Sequence, residues 1–102
     1  MIVQAKEKLG LTVEQMTPVL AEKRKTDQEG GILINGVERN SIGWNAGLQP
    51  GDIIVQIGQY PVNTLDDLAV LLKYMPKKGR AYVGVVRPKE LRSGHTFFDL
   101  GS

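Results

Sequence analysis

Cysteine is absent from the 102-residue chain, histidine and tryptophan occur once each, and aromatics make up only 6%. The lack of cysteine excludes disulfides, thiolate zinc sites, iron–sulfur clusters and cysteine nucleophiles, and leaves the redox compartment open. With His95 alone, no multi-histidine metal site can form, and neither a metal nor any other cofactor is implied. No apolar run approaches the ~18 residues that span a bilayer. The segment 1–6 lacks the apolar stretch of a signal peptide. The expectation is a soluble segment without membrane insertion, any export signal lying outside it.

Charge of one sign is also lacking. Thirteen basic against eleven acidic residues leave +2, too little to hold nucleic acid by bulk charge. Basic residues do gather at Lys73, Lys77, Lys78, Arg80, Arg87, Lys89 and Arg92, opposed there only by Glu90. An anion-binding or nucleic-acid patch is one reading, but no aromatic residues are interleaved in an RNA-binding pattern. The favoured reading is that these side chains keep loop ends and a strand exterior in water.

What is present suits one domain. The 41% apolar and 24% charged fractions are ordinary for a globular protein, and a chain of this size buries roughly two-thirds of its unfolded surface. No repeat or low-complexity linker divides it.

Leu11-Thr12-Val13-Glu14 alternates apolar and polar residues, the period of a half-buried strand. Thr17-Pro18 reads as N-cap and first position of a short helix running to about Lys25. After a break at Asp27–Gly31, Ile32-Leu33-Ile34-Asn35 reads as a buried strand. Residues 37–49 are irregular, with at most one helical turn around Trp44-Asn45-Ala46. Gln49-Pro50-Gly51-Asp52 carries the proline–glycine centre of a type II turn.

Ile53–Ile57 is the strongest strand, and Gly58-Gln59 turns it into a short edge piece at Tyr60-Pro61-Val62. Asn63 or Thr64 caps a helix from Leu65 to about Met75, with Asp66 and Asp67 at its positive end and Pro76 as its stop. A strand over Arg80–Arg87, a turn near Arg92-Ser93-Gly94 and a last strand over Thr96–Leu100 complete the order. The expectation is an α+β domain with a small, mostly antiparallel, strongly bent sheet or partial barrel.

No self-contained active site is legible. Ser41, Ser93 and His95 lack a Gly-x-Ser-x-Gly elbow, and His95 is expected to face solvent in a turn. Asp66 and Asp67 are helix neighbours that point apart, and the glycines lack phosphate-loop spacing. The helix is more informative. Leu65, Leu68, Ala69 and Leu72 form one stripe, with Leu68, Leu71 and Met75 beside it. The arc is wide enough for one edge to line an apolar groove; a wholly buried core helix is the alternative. Lys8-Leu9-Gly10-Leu11 adds a glycine between apolar residues at a strand start. There, successive N–H groups can curl around a carboxylate and the strand can pair with an added peptide. A plain strand start is the alternative.

Gly10-Leu11-Thr12-Val13, followed by Thr17-Pro18-Val19-Leu20-Ala21, resembles the opening of a PDZ domain of the bacterial HtrA/DegP (Do-like) serine proteases. Ala46-Gly47-Leu48-Gln49-Pro50-Gly51-Asp52-Ile53-Ile54 is similar to that family's Ala-Gly-Leu-x-x-Gly-Asp-x-Ile segment, and Pro61-Val62 with Leu65–Leu72 match its edge strand and groove helix. Ser41-Ile42-Gly43, where the family often has Ser-Pro-Ala, and Gly58-Gln59, where it often has Asn-Gly, depart from the pattern in turns expected to lie outside the groove.

The resemblance implies a single PDZ domain over 1–102, with 1–8 an N-terminal extension, one main groove helix and one short helix. It implies that C-termini or unfolded segments of substrate proteins bind by β-strand addition. Leu9, Gly10 and Leu11 would take the carboxylate, and Thr12, Val13, Glu14, Leu65, Leu68, Ala69 and Leu72 would form the groove. The chain itself would not be an enzyme. It would regulate a serine endopeptidase in the periplasm or cell envelope, the protease domain of the same parent chain being its other partner. A PDZ domain of another membrane or processing protease is one alternative, and a basic nucleic-acid-binding domain another.

Overall fold

The computed structural model describes residues 5–26, 30–75, 78–88 and 92–100. The elements run α1 (Ala5–Leu9), β1 (Leu11–Gln15), α2 (Pro18–Lys23), β2 (Ile32–Val37), α3 (Ile42–Asn45), β3 (Ile53–Ile57), β4 (Tyr60–Pro61), α4 (Leu65–Tyr74), β5 (Arg80–Arg87) and β6 (Arg92–Asp99). The strands form one antiparallel sheet in the order β1-β2-β3-β5-β6, with β4 paired to β3 off this path. β1 and β6 are its edges.

The unbroken apolar runs of β2 and β3 follow from burial on both faces. Ile32, Ile34 and Ile54 join the main core with Leu68 and Leu72 of α4. Leu33 and Ile53 turn the other way, onto Met16 and Ala21 beside α2. A strand covered twice has no polar face to present, so period-2 alternation disappears. A register shift between Ile54 and Gln56 lets Ile57 return to the same core as Ile54, as an extra residue in one strand does.

Caps appear where the side-chain chemistry places them. Thr17 Oγ1 accepts from Leu20 N at 3.1 Å, with Pro18 opening α2. In α4, Thr64 Oγ1 accepts from Asp67 N while Asp67 Oδ2 accepts from Thr64 N, a reciprocal capping box. The helix ends at Tyr74 with Met75 as its cap; the expected stop at Pro76 and most of the break after Thr26 lie outside the described residues.

Three features differ from expectation. Residues 5–9 form a helix packed against β1, α3 and α4, because Leu9 has a core to enter that no local pattern announces. The turn expected at Arg92-Ser93-Gly94 is strand: Ser93 pairs with Val86 and Gly94 with Val85, extending the β5–β6 hairpin. His95 therefore sits in β6, exposed, with its ring stacked on Tyr82 at 5.3 Å and edge-on to Phe97 at 6.0 Å.

Asp52, almost fully buried, fixes the loop that enters β3. Its carboxylate accepts from Arg87 Nε at 2.8 Å and Nη2 at 3.0 Å, and from Gln49 N at 2.9 Å. Arg87 also donates to Gly47 O at 3.1 Å. The Gln49–Asp52 turn closes through Asp52 N to Gln49 O at 3.1 Å, with Gly51 at φ +97° as the type II signature requires. Removing one member of a buried pair strands the other's charge. The Arg87 side chain is 29% exposed against 2% for Asp52, so Arg87 can return to water and Asp52 cannot. Arg87→Ala is expected to destabilise the fold by about 3 kcal/mol and Asp52→Ala by less; urea unfolding of both variants measures the order.

Candidate functional site

β1 is an edge strand lying alongside α4, and its hydrogen-bond register decides which groups face outward. Glu38 N donates to Gly10 O at 2.8 Å and Met16 N to Gly31 O at 3.0 Å. Leu11↔Val37 and Gln15↔Ile32 are therefore the non-hydrogen-bonded pairs of the antiparallel ladder. The N–H and C=O of Leu11 and Gln15, and by alternation of Val13, turn away from β2 toward the open side. The register shift between Thr12 and Val13 adds its extra residue, Asn35, to β2 and not to β1.

The same alternation sorts the side chains. Leu11 enters the core, Val13 packs against it, and Gln15 reaches α4, where its Oε1 accepts from Leu65 N at 3.0 Å. Thr12 and Glu14 are exposed on the other face, and Glu14 Oε1 accepts from Asn35 Nδ2 at 3.1 Å. At the opposite end of α4, Lys8 Nζ donates to Leu72 O at 2.8 Å. The space between β1 and α4 is thus tied at both ends by a side chain bonded to helix backbone. Neither tie has a sequence signal: the partners are 50 and 64 residues apart.

The expected site residues divide. Leu9, Leu11 and Leu72 are 1% exposed and Leu68 is 0%, so they belong to the core and form a floor. Val13, Leu65 and Ala69 are half-buried at the surface above it. Along Leu9-Gly10-Leu11 the three amides do not converge. Leu9 ends α1, its amide directed back along the helix, and Gly10 N donates to Lys6 O at 3.0 Å. Leu11 N faces the open edge. Gly10, at φ +71°, is the left-handed residue that stops α1 and redirects the chain into β1.

The turn at Ser41–Gly43, expected from the sequence to lie outside the groove, packs against the Leu9–Leu11 turn. A Cβ at Gly10 would overlap the Ser41 side chain, and one at Gly43 would press on the Leu11 side chain and the Leu9 carbonyl. Ser41 caps α3 through Trp44 N at 3.1 Å, so α3 buttresses the Leu9–Leu11 turn. Of the basic residues, Arg92 stands opposite Arg87 in the β5–β6 ladder. Lys73 lies over the Tyr74 ring at 5.7 Å, Arg87 is engaged by Asp52, Arg80 is exposed, and Lys77 and Lys89 lie outside the described residues.

Residues 33–87 match the PDZ-domain family model, and an open antiparallel sheet with one strand edge exposed beside a capped helix is the corresponding architecture. The chain belongs to the PDZ-domain family. Its likenesses within that family are to HtrA/DegP-type proteases. The magnetosome formation protease MamE of Magnetospirillum gryphiswaldense is 30% identical over 79 residues, 78% of this chain and 10% of that protein. The periplasmic serine endoprotease DegP of Salmonella typhimurium is 27% identical over 79 residues, 78% of this chain and 17% of that protein. The chain therefore spans only a small part of these relatives. Among solved structures, the HtrA3 PDZ domain bound to a phage-derived ligand superposes with a TM-score of 0.74 at 22% identity, covering 89% of this chain and 81% of that one. The HtrA-type protease AlgW with a decapeptide superposes at 0.73 and 25% identity, covering 91% and 28%. Among the described residues no helix is long and apolar enough to cross a membrane.

The packing also revises what Gly10 does for stability. From the sequence, Gly10→Val is expected to abolish peptide binding with only a modest loss of stability, because position 10 lies at a strand start. With φ +71° and Ser41 against the site of its Cβ, the variant meets both backbone strain and overlap. Gly10→Val is expected to lose at least ~2 kcal/mol of stability, whereas Thr12→Val, exposed two residues on, stays near wild type. Thermal unfolding followed by circular dichroism separates the two.

Proposed function

We propose that this domain captures the C-terminus or an unfolded segment of a substrate protein by adding it as an antiparallel strand to β1. The observation that carries the reading is the β1 edge itself: N–H and C=O groups of Leu11, Val13 and Gln15 directed outward beside an apolar helix face. Backbone pairing gives affinity that tolerates many sequences, and side-chain contacts select among them. The HtrA-type protease AlgW, a part of which shares this fold and which was solved with a decapeptide, supports the same class of ligand.

The ligand carboxylate meets the Leu9-Gly10-Leu11 turn, first at Leu11 N. Gly10 N can exchange Lys6 O for the stronger, charged acceptor, since a helix as short as α1 contributes little stability of its own. The last side chain rests above Leu9, Leu11, Leu68 and Leu72, with Val13 and Ala69 at its sides, and the third-last lies beside Leu65. Thr12 and Glu14 pair with β2 through their backbone groups and alternate with the outward-facing residues of β1, their side chains pointing away.

The domain serves a longer parent, a serine endopeptidase of the HtrA type located in the periplasm or cell envelope, as the relatives' names support. There it tethers substrates or relays their binding to the protease domain of the same chain. The domain's own chemistry is recognition.

Leu65 offers no hydrogen-bonding side chain at the third-last position, and burying a ligand hydroxyl against it costs about 1–3 kcal/mol. Apolar residues are expected at the last and third-last ligand positions, with dissociation constants in the micromolar range or weaker, because a flexible peptide is ordered for a small interface. Amide shift mapping with a peptide bearing a free carboxylate is expected to move Leu9–Gln15 and Leu65–Leu72. Perturbation confined to 78–88 and a steep salt dependence would point to an anion or nucleic-acid surface instead. On a C-terminal peptide array, strong enrichment of serine or threonine at the third-last position would overturn the role given to Leu65.

A further inference from the structure

Gln15 occupies a place in the groove that nothing above explains by packing. It is the last residue of β1, and its backbone N–H and C=O face the open edge. Its side chain lies on the α4 face, where Oε1 accepts from Leu65 N at 3.0 Å. A backbone N–H can only donate, so the contact fixes which way the carboxamide points: oxygen toward the helix, NH2 outward. The helix end needs this bond. Thr64 N and Asp67 N are satisfied within the capping box, and Asn63 N donates to Asp67 Oδ2 at 3.0 Å. The Leu65 N–H is instead served from β1.

Resting on the strand-addition reading, we propose that Gln15 reads the fifth residue from the C-terminus of a bound peptide and selects a neutral side chain carrying a hydrogen-bond acceptor. The register leads there. With the last ligand residue beside Leu11 and the strands antiparallel, the third-last falls beside Val13 and the fifth-last beside Gln15. Residues directly opposite in such a pair project on the same face, so the fifth-last side chain stands on the α4 side, next to the Gln15 NH2. That group is a donor only, its oxygen being held by Leu65. The acidic side chains of the helix's first turn, Asp66 exposed and Asp67 engaged in the cap, repel a ligand carboxylate. A neutral acceptor such as asparagine or serine fits both conditions.

Gln15→Glu tests the assignment, because a carboxylate still accepts from Leu65 N while the outward donor is replaced by an anionic acceptor. The probes are acetylated hexapeptides Gly-X-Ala-Val-Ala-Val with a free C-terminus and alanine, asparagine or lysine at X, titrated by calorimetry. Wild type is expected to bind the asparagine peptide about fivefold more tightly than the alanine peptide, the worth of one neutral hydrogen bond. In Gln15→Glu the order among the three peptides is expected to invert in favour of lysine. In Gln15→Met, which lacks both donor and acceptor, asparagine and alanine are expected to bind alike. If the alanine peptide binds but neither substitution changes the preference at X, the role of Gln15 is overturned and strand addition stands. If wild type binds none of the peptides, strand addition fails and this inference fails with it.

Discussion

A strand that buries alternate side chains while turning the backbone groups of those same residues to an open edge is the constraint around which this domain is arranged. β1 must sit at the sheet edge for Leu11 and Val13 to meet the core under α4. The edge then exposes the outward N–H and C=O groups of alternate residues, a template for pairing with another chain. Proteins commonly blunt such an edge with proline, a bulge or a covering loop. Here the extra residue of the irregularity, Asn35, lies on β2, so the outward row of β1 keeps its regular spacing. An apolar helix stands beside it, and a glycine-built turn stands at its start.

The groove's dimensions depend on few contacts. α4 is seated by Leu68 and Leu72 in the core, and its two ends are linked to the β1 side by Gln15 and Lys8. The Leu9–Leu11 turn is braced from behind by α3, which comes close only because position 43 is glycine. α3 is in turn held by Thr96 Oγ1 donating to Ala46 O at 2.7 Å, and the loop that follows it by Arg87 on Gly47 O and Asp52. The Leu9–Leu11 turn thus rests on contacts that run through α3 to the β5–β6 hairpin.

Local chemistry made much of the element list readable. Thr17-Pro18 and Thr64 announce helix starts because their hydroxyls serve the backbone a few residues on, and Pro50-Gly51 announces a turn because its torsions are preset. The β5–β6 hairpin was harder. Gly94 invites a turn, yet it is strand, since pairing along all of β5 outweighs the preference of one glycine. α1 was not legible either: a helix this short is stable only through what it packs against.

For the candidate site, the sequence by itself placed Leu11 and Val13 on one face of a strand, Leu65 and Ala69 on one stripe of a helix, and Gly10 at a special backbone position. Period-2 and period-3.6 spacing and the lack of a Cβ carry that information within a few residues. Only the tertiary structure decided that Leu68 and Leu72 are core floor, that the Gly10 amide is already bonded to Lys6, that Ser41 and Gly43 support the turn, and that Gln15 caps a helix. Those outcomes depend on which strand lies at the edge and on its register, through contacts between residues as much as 64 positions apart. Spacing along a chain reports which face a side chain takes, whereas the partner on that face is set by how the whole chain closes on itself.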